Sequence, residues 1–257
     1  MFDNSGHGRG SQLPPVTKHL LIINIAIWLI EWINPAGFGD TLINRLGLHF
    51  FEGSLFNPAQ LFTYMFLHEP SSIIHILFNM FTLWMFGRLL EQVWGARRFL
   101  TFYLVCGVGA ALVQEAVWPF TWMDECVSYF ASRNGLSVAQ MKSVMDQALA
   151  AGNPESMHAV AWFKSQILIT VGASGAIFGV LLGFAFVFPN LPLYLFFIPV
   201  PVKAKYMVAG YAVLEFFFGI TGTLSTVAHF AHLGGMLFGL PMLLYWKKRG
   251  TLRGKFF

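Results

Sequence analysis

Several stretches of this chain are too apolar, and too long, to be spread over the surface of a water-soluble globule. From about Ile167 to Phe188 no side chain carries a charge. At about 1.5 Å of rise per residue, a helix of some 20 apolar residues crosses the ~30 Å hydrocarbon core of a bilayer, so this run is long enough to do so. Across the 257 residues, 56% are hydrophobic and 11% charged, against about 25% charged in ordinary soluble domains. The expectation is therefore an all-α, polytopic membrane protein in contact with the lipid bilayer.

Six spans follow from the hydropathy pattern: about His19 to Ile33, Ser72 to Leu90, Phe99 to Val117, Ile167 to Phe188, Tyr206 to Thr221 and Thr226 to Trp246. Met1 to Lys18 is a polar, Gly-rich stretch expected to be a flexible tail, residues 19–248 the membrane domain, and residues 249–257 a basic tail. Between the first two spans, Asn34 to about Glu69 is polar and then strongly aromatic, which suits a loop partly embedded at the membrane surface. Prolines 189, 192, 199 and 201 mark a loop or re-entrant stretch before the fifth span. Residues 119–166 are the one sizeable polar block. There Ser137 with Gln140 makes a capping box, and Asn153-Pro154 has the cap-then-proline order that opens a helix. A two-helix insertion outside the membrane, between the third and fourth spans, is expected.

The basic residues orient the bundle. If both termini are cytoplasmic, the inside segments hold all the lysines and arginines except Arg45, Arg133, Lys142 and Lys164, which is 12 of the 16. That puts the insertion on the outer side of a plasma membrane and removes any need for nucleic acid to explain the net charge of +4. Cys106 and Cys126 offer no obvious pair for a disulfide or a metal. The first apolar run lacks a small-residue cleavage site and reads as an anchor rather than a removable signal.

The second, fourth and sixth spans run in the same direction, and each carries unusual polar residues near its outer end. The second has His75 and Asn79 on one helical face, the fourth Ser174 about two turns in, and the sixth His229 and His232. Polar groups inside a bilayer are costly and are functional by default. A serine becomes nucleophilic when a neighbouring base takes its proton, and His232 is the chosen base, with His229 a weaker candidate. His75, Asn79 and the Ser174 N–H could stabilise an oxyanion. Acidic residues are absent beside these groups within their own spans, so a Ser/His dyad is expected and not a triad. Glu215, in the fifth span, shows no partner carboxylate and is taken as structural. Gly175 and Gly179 facing Gly234, Gly235 and Gly239 would let the fourth and sixth helices approach closely.

These pieces together resemble the rhomboid intramembrane serine proteases of the bacterial six-helix type. His75-Ile76-Leu77-Phe78-Asn79 matches HxxxN, Gly172-Ala173-Ser174-Gly175 matches GxSG, and Ala231-His232-Leu233-Gly234-Gly235 matches the AHxxG region, in the family's order. Glu91-Gln92-Val93-Trp94-Gly95 resembles a further family element of structural character. The resemblance implies that Ser174 is the nucleophile, His232 the general base and acid, and His75 with Asn79 the oxyanion group. It implies single-pass transmembrane proteins as substrates, cut near the outer face, and no cofactor or metal. Where the family often has Trp-Arg in its first outer loop, this chain has Ala59-Gln60, and His68 is given no role. Two other classes compete: a non-catalytic rhomboid-like membrane-protein binder, and a metal transporter using His75, His229 and His232. Against the latter, HExxH is missing and no carboxylate completes the set. The GxSxG elbow of α/β hydrolases is not met, since Ala176 replaces its last glycine and no strand is expected before Ser174.

Overall fold

The computed structural model describes residues 13–34, 37, 39–195, 198–222 and 228–251. The polar stretch before residue 13, the expected start of the last span at Thr226-Val227 and the basic residues after 251 lie outside that range. Helix α1 (Pro15–Ile33) is followed by a loop containing α2 (Asp40–Leu46), β1 (Leu48–His49), α3 (Gln60–Thr63) and a 3-10 turn, Tyr64–Phe66. The second long helix begins as α4 (Ile73–Thr82), loosens into a π-helical turn at Leu83–Gly87 and continues as α5 (Arg88–Trp94). Then come α6 (Ala96–Asn134), α7 (Val138–Ala150), α8 (Pro154–Gln166), β2 (Ile169–Thr170) and α9 (Ser174–Val187). A hairpin of β3 (Pro192–Leu195) and β4 (Ile198–Lys203), α10 (Ala204–Thr221) and α11 (His229–Lys248) complete the chain. Among the described residues, three helical stretches are long and apolar enough to cross a membrane: Pro15–Ile33, Ile73–Trp94 and Ala96–Asn134.

Helices α6, α9 and α11 pack on one another more extensively than any other elements and form the centre. Small residues set their spacing. A Cβ on Gly235 of α11 would stand inside the van der Waals radius of the Gly175 carbonyl oxygen on α9, and one on Gly179 would meet Cys106 of α6. Gly234 and Gly239 face elsewhere than expected. They lie against Ala110 and Val113, and against Cys106 and Phe102, so they seat α11 on α6 rather than on α9.

Three segments depart from the sequence-based expectation. The fourth span is not helical from Ile167. Residues 169–170 pair antiparallel with Leu48–His49 (Leu48 opposite Thr170, His49 opposite Ile169), and the helix starts only at Ser174. Apolar content cannot distinguish a short buried strand from a turn of helix, and here pairing with a distant segment decides. The third span does not stop near Val117: α6 runs on through Pro119 to Asn134. The proline removes one helical hydrogen bond, but Trp118, Cys126, Val127 and Ala131 are buried beyond or beside it, and that packing carries the helix on. The Pro-punctuated stretch before the fifth span forms the β3–β4 hairpin rather than an irregular loop. Within the insertion, both expected helix starts are present. Ser137 and Gln140 form a reciprocal capping box opening α7, and Asn153 accepts the Ser156 N–H at 3.1 Å to open α8 behind Pro154.

Gln60, a departure from the family's pattern, anchors the first loop. Its side chain is 1% exposed. It accepts from the N–H groups of His49 (3.3 Å) and Asn57 (3.1 Å) and donates to the carbonyls of Arg45 (3.2 Å) and Leu55 (2.9 Å). From α6, Glu115 accepts the Phe51 N–H at 3.0 Å, tying the same loop to the central helices. The structural reading of Glu91 also holds. Its buried carboxylate accepts from the N–H groups of Val16 (2.9 Å) and Thr17 (2.7 Å) and from the Thr17 hydroxyl (2.8 Å), capping the otherwise uncapped start of α1. Replacing Glu91 by Ala strands three donors in a buried place. We expect a loss of about 1–3 kcal/mol, read as a lower unfolding temperature in detergent; an unchanged midpoint would contradict the cap.

Candidate active site

Ser174 is the first residue of α9, not a residue two turns inside it. Just before it, Gly172 has φ +128°, a conformation that side chains other than hydrogen rarely adopt, and its N–H donates to the Tyr64 carbonyl at 3.1 Å. The local order is therefore strand, glycine turn, serine, helix. A strand precedes the serine after all, although it belongs to a two-residue ladder and not to a hydrolase sheet. One consequence is electrostatic. The first N–H groups of a helix have no partner in the helix, so Ser174 sits at the positive end of α9.

His232 lies in the first turn of α11, buried at 8% exposure, with its Nε2 2.7 Å from Ser174 Oγ. Its ring plane is fixed by Phe178, one turn after Ser174 on α9, which stacks at 4.3 Å between centroids and 5° between planes. Sequence reasoning passed over Phe178, although its spacing of four from the serine places both on one helical face. The hydroxyl and imidazole are thus brought together by one close helix pair and held in register by an aromatic stack.

His75 lies in the first turn of α4. A Cβ built on Gly172 would be 2.9 Å from its Nε2 and 3.8 Å from Ser174 Oγ, so imidazole and hydroxyl flank the same glycine. Asn79 is buried on the same face, with its Nδ2 donating to the His75 carbonyl at 2.8 Å. That bond ties the amide to its own helix, and the described hydrogen bonds include none from Asn79 to Ser174. His68 packs its buried ring 5.2 Å from that of His75.

Glu215 corrects the expectation of an isolated dyad. On α10, its Oε2 lies 2.6 Å from His229 Nδ1 and 3.0 Å from His232 Nδ1. A carboxylate therefore stands on the far side of the imidazole from the serine, and its partners are the two histidines of the next helix. It also provides the carboxylate missing from the histidine set, in company with His229 and His232 and without His75.

The family profile of the Rhomboid domain matches residues 56–249. The chain belongs to the rhomboid family. It is similar to a protein named Rhomboid protease AarA from Providencia stuartii, with 26% identity over 239 residues, covering 87% of this chain and 69% of that one. Family membership and the apolar helices make it an integral membrane protein.

Gly172→Ala tests how tightly the turn is specified. The substitution forces a side chain into a positive-φ conformation, at about 1–3 kcal/mol, and presses it against His75. The expected outcome is a lower unfolding temperature together with weaker labelling of Ser174 by a fluorophosphonate. Labelling at the unaltered rate would mean that the turn tolerates a Cβ.

Proposed function

We propose that this chain is an intramembrane serine endopeptidase that cleaves single-pass transmembrane proteins near the outer membrane face. The observation that carries the reading is the 2.7 Å approach of Ser174 Oγ to His232 Nε2, part-buried at the starts of two helices. Packing alone would not require an imidazole there. Family membership and the similarity to a named rhomboid protease support the same reading.

In this mechanism the Ser174 hydroxyl donates to His232 Nε2, which takes its proton as Oγ attacks the scissile carbonyl. The developing oxyanion is met by the Ser174 N–H at the start of α9, with His75 beside Gly172 and Asn79 as the further donors. His232 then returns the proton to the leaving amine, and a water that reaches the pocket completes deacylation. Glu215, 3.0 Å from His232 Nδ1, stabilises the imidazolium electrostatically. The unit we propose is thus a Ser/His pair flanked by a carboxylate. No cofactor takes part.

Six spans with a partly embedded first loop, both termini in the cytoplasm and the 119–166 insertion facing out complete the proposed topology, supported by the placement of basic residues. Ser174, His232 and His75 all lie near helix starts, and in this topology those ends face outward, where a substrate segment and water can arrive.

Ser174→Ala and His232→Ala are each expected to abolish fluorophosphonate labelling and to reduce cleavage of a transmembrane test substrate by about 10⁴-fold or more, with the unfolding temperature unchanged. Retained turnover in Ser174→Ala would sink the assignment, and a wild type that neither labels nor cleaves would leave the non-catalytic binder as the better reading. Glu215→Gln keeps the shape of the side chain and removes its charge. We expect kcat to fall by about tenfold or more with KM little changed; equal kcat would remove Glu215 from the mechanism.

A further inference from the structure

Three metal-ligating atoms converge on the side of His232 that faces away from Ser174. Glu215 Oε2, His229 Nδ1 and His232 Nδ1 all lie within 4.8 Å of one another. A tetrahedral zinc-class ion, with bonds near 2.0–2.1 Å, separates its ligands by about 3.3 Å. The two approaches to Glu215, 2.6 and 3.0 Å, and the outer limit of 4.8 Å bracket that value. A second observation concerns His232 itself. Its Nδ1 is buried and makes no hydrogen bond of regular geometry, the Glu215 oxygen 3.0 Å away being an ionic contact. Buried polar atoms are rarely left this way. A cation between the three groups would accept that lone pair.

We propose that Glu215, His229 and His232 form an inhibitory site for a zinc-class divalent cation, which silences the peptidase by occupying Nδ1 of His232. The inference rests on the serine-peptidase reading. A neutral imidazole carries one proton. To act as a base toward Ser174, His232 must keep Nε2 free, so its proton resides on Nδ1. When a metal binds Nδ1, that proton shifts to Nε2. The Nε2–H can donate to Ser174 Oγ but cannot take its proton, and the nucleophile is no longer activated. The Nδ1–H bond is broken and an Nε2–H bond is formed, so the ring keeps its single proton, and removal of the ion restores the original tautomer.

The donor set selects the ion. Two imidazoles and one carboxylate suit Zn²⁺ and its borderline neighbours, whereas Mg²⁺ and Ca²⁺ prefer oxygen ligands throughout. Access is also provided for. A cavity of 780 Å³ between the far end of α6, β2 and the facing ends of α10 and α11 has His229 in its wall. Apart from that histidine, its lining carries the carboxyl groups of Asp124 and Glu125 and no lysine or arginine, although Lys142 stands 3.8 Å from Asp124.

The test separates the site from the peptidase. Full-length Ser174→Ala protein in detergent, with any histidine tag removed, is titrated with Co²⁺, whose visible d–d absorption reports a tetrahedral nitrogen and oxygen site. We expect one equivalent to bind, Zn²⁺ to displace it, and His229→Ala and Glu215→Gln each to weaken binding by at least about tenfold. In protein with Ser174 intact, Zn²⁺ should suppress fluorophosphonate labelling and cleavage over the same concentration range, EDTA should restore both, and His229→Gln should need at least about tenfold more Zn²⁺. Absence of the absorption band, or a band that survives both substitutions, overturns the site. Binding without loss of labelling overturns the inhibitory link through Nδ1, as does activation by Zn²⁺. Failure of the metal-free protein to label sinks the peptidase reading, while the Co²⁺ titration still decides whether the three residues bind a cation.

Discussion

The serine hydroxyl and the imidazole meet because two helices approach with nothing but backbone between them. At the contact, the carbonyl oxygen of Gly175 occupies the space that a side chain on Gly235 would need. In lipid, apolar surface gains little by leaving its surroundings, so close van der Waals packing decides which helices associate. The small-residue stripe is therefore a spacing device and the serine a chemical group, and one close contact serves both. Helix α6 closes the third side through Cys106 and Ala110, against which Gly179 and Gly175 rest. Any side chain added along this seam would move Ser174 and His232 apart by more than a hydrogen bond tolerates.

What could be read from the sequence was a set of candidate residues, because polar groups within apolar helices are few and conspicuous. Ser174, His232 and His75 were found that way, and the structure gathers them around Gly172 and Phe178. The start of α9 was not legible. Between Ile167 and Ala173 the β-branched run 169–171 and Gly172 only weakly disfavour a helix by composition. What prevents it is pairing with Leu48–His49, about 120 positions earlier in the chain, and the Tyr64 carbonyl that accepts from Gly172. Gln60 illustrates the reverse error. Judged against a family pattern it was a departure, yet it makes four hydrogen bonds that hold the same loop.

Glu215 was visible but unassignable. A lone carboxylate in an apolar helix announces that a partner exists, since an unpaired charge in lipid is costly, but the sequence does not say on which neighbouring helix it lies. His229 and His232 are three apart and share a face, so a single carboxylate on α10 can reach both. That geometry is a property of how α10 packs on α11, and no periodicity within α10 alone encodes it.

The helix ends decide how the pocket treats charge. Ser174 is the first residue of α9, His75 lies in the first turn of α4 and His232 in the first turn of α11. Each helix start carries a partial charge of about +0.5, so three positive ends converge on one small volume. This favours an oxyanion beside Ser174, and it also makes a buried carboxylate at Glu215 tolerable without a full countercharge. For a cation the same field is repulsive, and only the charge of Glu215 and the lone pairs of two imidazoles oppose it. The carboxylate therefore sets the sign of the far side of His232: with it, the pocket divides into an anion-seeking half at the serine and a cation-tolerant half behind the imidazole.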